Sequence, residues 1–313
     1  MRSIVLLNMG GPNNLEEVSL FLKNMFNDPN ILPIKNSLLR KFVAYLITVS
    51  RTKEATSNYR QLGGSSPLNG FTQKLIEKVS KKVPDTFVVP VMRYTPPFAA
   101  EAISKMREKG IKEVFLIPLY PHYSTTTVKS SLEDFYQQAK KMGFDADIKH
   151  IENFYRNSLY NEAVIEKIAE ALKGEDPKEF ELIFSAHSLP QRIVEAGDPY
   201  RDQVEDHIKI LTGKLKEKGM EFSSVDLAYQ SKLGPVKWLE PSLEDRLKSS
   251  AGKKVLIYPI SFILDNSETL FELHKEYAHI AKELSIADYR VGDCVNDSDI
   301  FVEALIDIYR GMQ

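Results

Sequence analysis

The runs Val114-Phe115-Leu116-Ile117-Pro118 and Val255-Leu256-Ile257-Tyr258-Pro259 decide how this chain is read. Each is a block of aliphatic and aromatic residues closed by proline, with no polar alternation. Such a block is the signature of a strand buried on both faces, which belongs to parallel sheets covered by helices. Six further runs are candidate strands, most of them nearly continuous in the same way, at residues 4–9, 86–93, 147–151, 182–187, 225–230 and 287–291. Helical patterns lie between the runs, at 97–109, 130–142, 159–172, 202–217, 241–248, 268–284 and 298–311. Strand alternating with helix predicts an α/β fold with right-handed crossovers.

Eight strands suggest two sets of four. Their ends fall near Met9, Arg93, Leu119 and Ile148, then near His187, Gln230, Ile260 and Tyr289. The second-to-third gaps are 26 and 30 residues, and the third-to-fourth gaps are both 29. The reading is two similar doubly wound domains, 1–155 and 156–313, each with a parallel four-stranded sheet. The last helix is free to pack back on the first domain. The competing explanation is that any βαβ unit has about this length. The first gap breaks the match, at 84 residues against 43, and the excess falls around residues 28–60. That insert is apolar, with Ile31-Leu32-Pro33-Ile34, Leu38-Leu39 and residues 42–49, and it is flanked by Arg40, Lys41, Arg51 and Lys53. It reads either as a greasy lip over a cleft or against a membrane surface, or as an extra helix packed on the core.

Composition narrows the function classes. Lys plus Arg is 41 and Asp plus Glu is 43 over 313 residues, for a net charge of -2, so nothing argues for nucleic acid as a partner. Cys294 is the sole cysteine, which excludes an internal disulfide, a cysteine-based zinc site and an iron–sulfur cluster. The longest apolar stretch, residues 42–49, is far short of the about 20 residues that span a bilayer. The N-terminus reads as a first strand and not as a signal peptide, so the expected location is the cytoplasm.

In open α/β sheets ligands bind outside the carboxyl ends of the strands. After the first strand comes Asn8-Met9-Gly10-Gly11-Pro12, a tight turn without the G-x-G-x-x-G spacing of a dinucleotide fingerprint. Gly63-Gly64-Ser65-Ser66-Pro67 is a second candidate cradle, but it lacks the Lys-Ser/Thr ending of a P-loop. After the fifth strand comes Ser185-Ala186-His187-Ser188-Leu189-Pro190. His187 can take a proton near neutral pH or donate a nitrogen to a metal; the alternative is a capped or core histidine. After the seventh strand a helix carries Glu268, Glu272 and Glu276 at i, i+4 and i+8. Like charges at that spacing oppose helix stability, and such a row can pass a divalent cation along. The alternative there is a capping box, Asp265-x-x-Glu268, followed by solvated glutamates. Tyr120-Pro121-His122-Tyr123-Ser124 and Tyr229-Gln230-Ser231-Lys232 with Trp238 are aromatic clusters at the third and sixth strand ends, able to stack on a flat ligand or to pack.

Six segments, in this order, resemble the ferrochelatase family. They are Leu7-Asn8-Met9-Gly10-Gly11-Pro12, Tyr59-Arg60-Gln61-Leu62-Gly63-Gly64-Ser65-Ser66-Pro67-Leu68, Tyr120-Pro121-His122-Tyr123-Ser124, Ser185-Ala186-His187-Ser188-Leu189-Pro190, Tyr229-Gln230-Ser231-Lys232-Leu233-Gly234-Pro235 and Glu268-Thr269-Leu270-Phe271-Glu272-Leu273. The resemblance implies two chelatase-like domains with the porphyrin in the cleft between them. It implies insertion of ferrous iron into protoporphyrin IX, with Fe²⁺ as a substrate and no resident cofactor or cluster. It makes His187 and Glu268 the catalytic pair and His187, Glu268, Glu272 and Glu276 the metal-handling groups. Met9, Arg51, Lys53, Ser65, Arg93, Tyr94, Tyr123, Ser231 and Trp238 become porphyrin contacts, and the insert becomes the lip. It also allows peripheral contact with the inner membrane.

The chemistry suits these residues. Two pyrrole N–H protons must leave as Fe²⁺ enters, and a base such as His187 can accept them on one side of the ring. An apolar cleft can hold the ring bent and expose its nitrogen lone pairs. Two departures stand out. Many relatives carry histidine where this chain has Asn266, which moves any role of that group, with His274 nearby. Met9 stands where coproporphyrin-using relatives commonly have tyrosine, which leans towards protoporphyrin IX. The alternatives are a chelatase for another metal or tetrapyrrole, such as cobalt or coproporphyrin III, and a non-catalytic tetrapyrrole carrier.

Overall fold

Strand β1 (Arg2–Asn8) lies between β2 (Thr86–Met92) and β3 (Glu113–Pro118), and β4 (Asp147–His150) adds to the outside of β3. All pairings are parallel, with Asn8 opposite Met92 and Leu7 opposite Pro118. Val5, Leu6, Leu116 and Ile117 are fully buried, as a strand covered on both faces requires. Helices Ala99–Glu108 and Ser130–Lys141 cover one face, where Ile103, Met106 and Phe135 pack on Val5 and Leu116.

The second sheet repeats this plan with β5 (Phe180–His187), β6 (Ser224–Gln230), β7 (Lys254–Tyr258) and β8 (Asp288–Val291), in the order β6-β5-β7-β8. His187 is opposite Gln230 and Phe184 opposite Tyr258. The chain is therefore α/β with two four-stranded parallel sheets, as the continuous apolar runs predict.

The structure is a computed structural model that describes residues 1–232 and 234–313; Leu233, within one of the six family-like segments, lies outside the described residues. It divides into two compact units, Met1–Asn153 with Leu305–Gln313, and Phe154–Ala304. The terminal stretch belongs to the first unit, where the Tyr309 ring meets Phe115 edge-on at 5.0 Å and its hydroxyl lies 3.3 Å from Thr86 Oγ1.

Two features depart from the sequence reading. Residues 268–276 form a π-helix, not the first turns of an α-helix, and only Tyr277–Glu283 is α-helical. The first unit has a shorter π segment, Thr125–Lys129, at the same topological place. Over two turns the apolar spacings of the two helix types overlap, so the letters do not separate them. The capping box is also absent: Asn266 Oδ1 accepts the Glu268 N–H at 2.7 Å, while Asp265 accepts from Thr269 Oγ1 at 2.7 Å.

The insert forms one helix, Ser37–Gln61, N-capped by Asn36, whose side chain accepts from the Leu38 and Leu39 N–H groups. Its apolar stripe faces out. Leu38 is 75% exposed, Phe42 60% and Tyr45 62%, with Leu39, Leu46 and Val49 beside them, whereas Ala44, Thr48 and Tyr59 are buried.

Candidate active site

β5 and β6 end side by side, so His187 and the backbone of Gln230 and Ser231 are neighbours. His187 is fixed from four directions. Its N–H donates to Ser261 Oγ at 2.8 Å, its carbonyl accepts from the Tyr200 hydroxyl at 2.9 Å, and its ring meets Phe262 edge-on. Nδ1 lies 2.6 Å from the Ser188 carbonyl oxygen. A carbonyl can only accept, so Nδ1 carries the proton of the neutral ring and Nε2 keeps a lone pair. That lone pair faces Glu268 Oε2 at 3.6 Å, with both side chains about one-third exposed.

Glu268 opens the π segment. Its carbonyl accepts from Gln230 Nε2 at 3.0 Å, and Gln230 Oε1 accepts from Ser185 Oγ at 2.6 Å. Four residues on, Glu272 accepts the Ser231 N–H at 2.9 Å and the Ser231 hydroxyl at 2.5 Å. Burial and the neighbouring Glu268 carboxylate push its carboxyl up to about 7, against the pull of the two Ser231 bonds. Glu276 and His274 are exposed, and Asn266 is buried in the turn before the helix. Among the described residues no group of three or more His, Cys, Asp and Glu side chains converges on one metal point. The structure thus brings His187, Glu268 and Glu272 together and leaves Glu276 on the outer part of the segment.

Trp238 is half-buried and bridges to Pro190, so the loop after β6 lies against the residues that follow His187. The Gln191 N–H bonds the Lys237 carbonyl at 2.8 Å and the Leu239 N–H bonds the Leu189 carbonyl at 3.0 Å, which ties Lys237 and Leu239 to that stretch.

The remaining candidates belong to the first unit. Met9 is half-buried, and its carbonyl accepts the Tyr94 N–H at 3.0 Å. Gly10 follows at φ 82, where a Cβ would meet Thr95 Oγ1 at 2.4 Å, so only glycine fits that turn. Ser65 is half-buried in a loop whose next residue, Ser66, donates its N–H to the Pro12 carbonyl at 2.8 Å. Arg93 pairs with Asp28 at 3.1 Å and Asp134 at 3.6 Å, and the Tyr94 hydroxyl donates to Asp28 at 2.9 Å. A cavity of about 340 Å³ opens there, lined by Asn24, Asn27, Asp28, Arg93, Asp134 and Gln138 among others. Tyr123 lines a different cavity, of about 310 Å³, with Tyr136 and His150. Arg51 is half-buried and Lys53 exposed on the helix Ser37–Gln61. Sequence reading missed Asp28, Ser130, Tyr200, Gln230 and Ser261. Only Gln230 carried a signal, its place beside Ser231 at the end of a strand.

The model of the ferrochelatase family matches residues 1–312. The chain belongs to the ferrochelatase family. Ferrochelatase of a Nitratiruptor species is 64% identical over 312 residues, covering 100% of both chains. Ferrochelatase of Wolinella succinogenes is 51% identical over 305 residues, covering 97% of this chain and 96% of that one. Among solved structures, CbiX, described as the terminal enzyme for biosynthesis of siroheme in denitrifying bacteria, matches at TM-score 0.57 with 9% identity over 100% of both chains. SirB from Bacillus subtilis with Fe³⁺ matches at TM-score 0.55 with 11% identity, over 99% of this chain and 95% of that one. At these identities the likeness is one of fold: the ferrochelatase chain shares its architecture with other chelatases.

Proposed function

We propose that this ferrochelatase inserts ferrous iron into protoporphyrin IX to form protoheme, the terminal step of heme synthesis. The observation that carries the reading is the His187–Glu268 pair at 3.6 Å, with the base lone pair on Nε2 and Glu272 behind it. Both substrates are consumed: Fe²⁺ enters, two pyrrole protons leave, and the macrocycle stays neutral.

In this reading His187 Nε2 accepts a pyrrole proton. The imidazolium that forms is stabilised by Glu268 beside it and by the Ser188 carbonyl on Nδ1–H. Glu272 holds its carboxyl near the protonation midpoint at neutral pH, which suits a group that takes a proton or meets a cation in turn. Glu268 and Glu272 supply hard oxygen donors to Fe²⁺, and Glu276 extends the row outward. The family resemblance makes Met9, Ser65, Arg93, Tyr94, Tyr123 and Trp238 contacts of the macrocycle and assigns Arg51 and Lys53 to its propionates. The enzyme holds no resident cofactor and no iron–sulfur cluster, consistent with a single, fully buried cysteine, Cys294.

Residues 28–60 act as a lip over the bound macrocycle. The outward stripe of Leu38, Phe42, Tyr45 and Val49, with Lys35, Lys41 and Lys53 exposed near it, supports peripheral contact of a cytoplasmic enzyme with the inner membrane. No helix of the described residues is long and apolar enough to cross a bilayer.

The test is anaerobic incubation with Fe²⁺ and either protoporphyrin IX or coproporphyrin III, following loss of the free-porphyrin spectrum. Faster insertion into protoporphyrin IX is expected. Preference for coproporphyrin III would move the enzyme to the other branch of heme synthesis. Tight porphyrin binding without insertion of iron would make it a carrier or a chelatase for another metal.

A further inference from the structure

Four non-glycine residues of the second unit, Lys173, Ser231, Ser285 and Asn296, sit in the left-handed region, and two of them, Asn296 and Ser231, grip the stretch that carries the acids. Asn296, at φ 49, donates its side-chain amide to Asp265 Oδ2 at 2.6 Å and accepts the Asp265 N–H at 2.9 Å. Asparagine tolerates that conformation, and Asp265 is buried, so this grip is structural. Ser231, at φ 65, is a different case. Serine pays a steric cost there, and no turn hydrogen bond of its own side chain compensates for it.

What keeps Ser231 in place is Glu272. The Ser231 N–H bonds Oε1 at 2.9 Å and its hydroxyl bonds Oε2 at 2.5 Å, so one residue fixes both carboxylate oxygens. Returning Ser231 to negative φ would leave its N–H in the Gln230–Ser231 peptide plane and swing the hydroxyl away from Oε2. Glycine would hold this backbone more cheaply and keep the N–H bond; the hydroxyl is what serine adds. The preceding residue acts in parallel, because Gln230 holds the Glu268 carbonyl. The last residue of β6 and the one after it therefore set the position of two successive acids on the π segment.

We infer that Ser231 is a positioning residue for the metal substrate: it fixes the carboxylate plane of Glu272 so that the oxygen lone pairs it leaves unused are presented to incoming Fe²⁺. Each carboxylate oxygen has two lone-pair sites, and Ser231 occupies one on each. Carboxylates that meet metal ions are commonly held by such an outer hydrogen bond. This rests on the ferrochelatase reading, and it reassigns Ser231 from the porphyrin contact that the family resemblance implies.

The test is steady-state kinetics of Ser231→Gly with Fe²⁺ and protoporphyrin IX varied separately. Loss of one hydrogen bond to a charged group predicts a rise in KM for Fe²⁺ of roughly tenfold, with KM for porphyrin and kcat at saturating iron little changed. In a Glu272→Gln background the same substitution should change KM for Fe²⁺ by less than about twofold, since the carboxylate charge that Ser231 presents to iron is gone even though its hydrogen-bond partners remain. A raised porphyrin KM with unchanged iron KM would restore Ser231 to the porphyrin contacts and overturn the inference. An effect that persists in full beside Glu272→Gln would overturn it as well. If Ser231→Gly folds poorly, Ser231→Ala keeps the N–H and the Cβ, loses only the hydroxyl, and carries the same expectation. Failure of the unsubstituted enzyme to insert iron would overturn the ferrochelatase reading itself, which separates the two.

Discussion

At the carboxyl end of the first sheet, Asp28 is fully enclosed and its charge is met on every side. Its side chain accepts from the Tyr94 hydroxyl at 2.9 Å, the Asn30 N–H at 2.8 Å and the Ser130 hydroxyl, and Arg93 pairs with it at 3.1 Å. At the carboxyl end of the second sheet, Glu272 is also largely enclosed, yet its neighbours are another carboxylate, a neutral serine and a histidine. The two ends share strand order, parallel pairing and a π segment leading into a helix. They differ in whether a guanidinium is present. The first unit shows that this fold can neutralise a buried carboxylate. Leaving the Glu272 carboxylate without one costs stability, and a cost of that kind is what the proposed handling of a cation and protons would account for.

The largest effect expected from this contrast is on turnover. His187→Ala and Glu268→Gln should each lower iron insertion by about 10²–10⁴-fold, the usual worth of a positioned acid–base group. Porphyrin binding, followed by quenching of porphyrin fluorescence, should survive both. If Asp28→Asn reduced turnover more than His187→Ala did, the chemistry would belong to the first sheet and the contrast would be inverted.

Next in size is a stability effect confined to the first unit. Asp28→Ala leaves Arg93 beside Asp134 with its main partner gone and strips the Tyr94 and Ser130 hydroxyls of their acceptor. A loss of about 3–5 kcal/mol is expected from breaking one side of a buried pair, measured by urea unfolding. A loss below about 1 kcal/mol would mean that the network is solvated, as a surface pair is.

These two ends were unequally legible in the letters. Most of the strands are nearly continuous apolar runs, while β4 and β8 are partly exposed and carry polar residues; all eight were found to within a few residues, and strand ends then singled out His187 and Glu268. The Asp28 network was invisible because Asp28 and Ser130 are 102 residues apart and each is an ordinary polar residue locally. The π segment was read as α because apolar residues on one face look alike at either pitch over two turns. The insert was rightly seen as apolar, but periodicity says only that a helix has an apolar face, not that Leu38 and Phe42 would turn theirs to solvent. The proton on His187 Nδ1 depends on a backbone carbonyl one residue away, which no side-chain pattern encodes.

The smallest effects are in the pH dependence of stability, and they sharpen the contrast by sign. His207 is buried against Asn161, and burial lowers its imidazole to about 3. Between about 3 and its ordinary 6.5 the unfolded chain binds a proton that the native state refuses, so stability falls as pH drops through that window. The loss by pH 4.5 should be on the order of 2 kcal/mol, and His207→Gln should flatten that limb. Glu272 slopes the other way. Its folded carboxyl sits at about 7 against an ordinary 4.5, so across that window the native state holds the extra proton and stability falls as pH rises. Glu272→Gln keeps a carbonyl for the Ser231 N–H and an amide to donate to its hydroxyl, while removing the charge. In metal-free protein it should leave stability near pH 4 unchanged and raise it at pH 8 by on the order of 1 kcal/mol, read from urea midpoints at both pH values. A lower midpoint at pH 8 would mean that the carboxylate is stabilising there, as Asp28 is, and that the second sheet neutralises its acids after all.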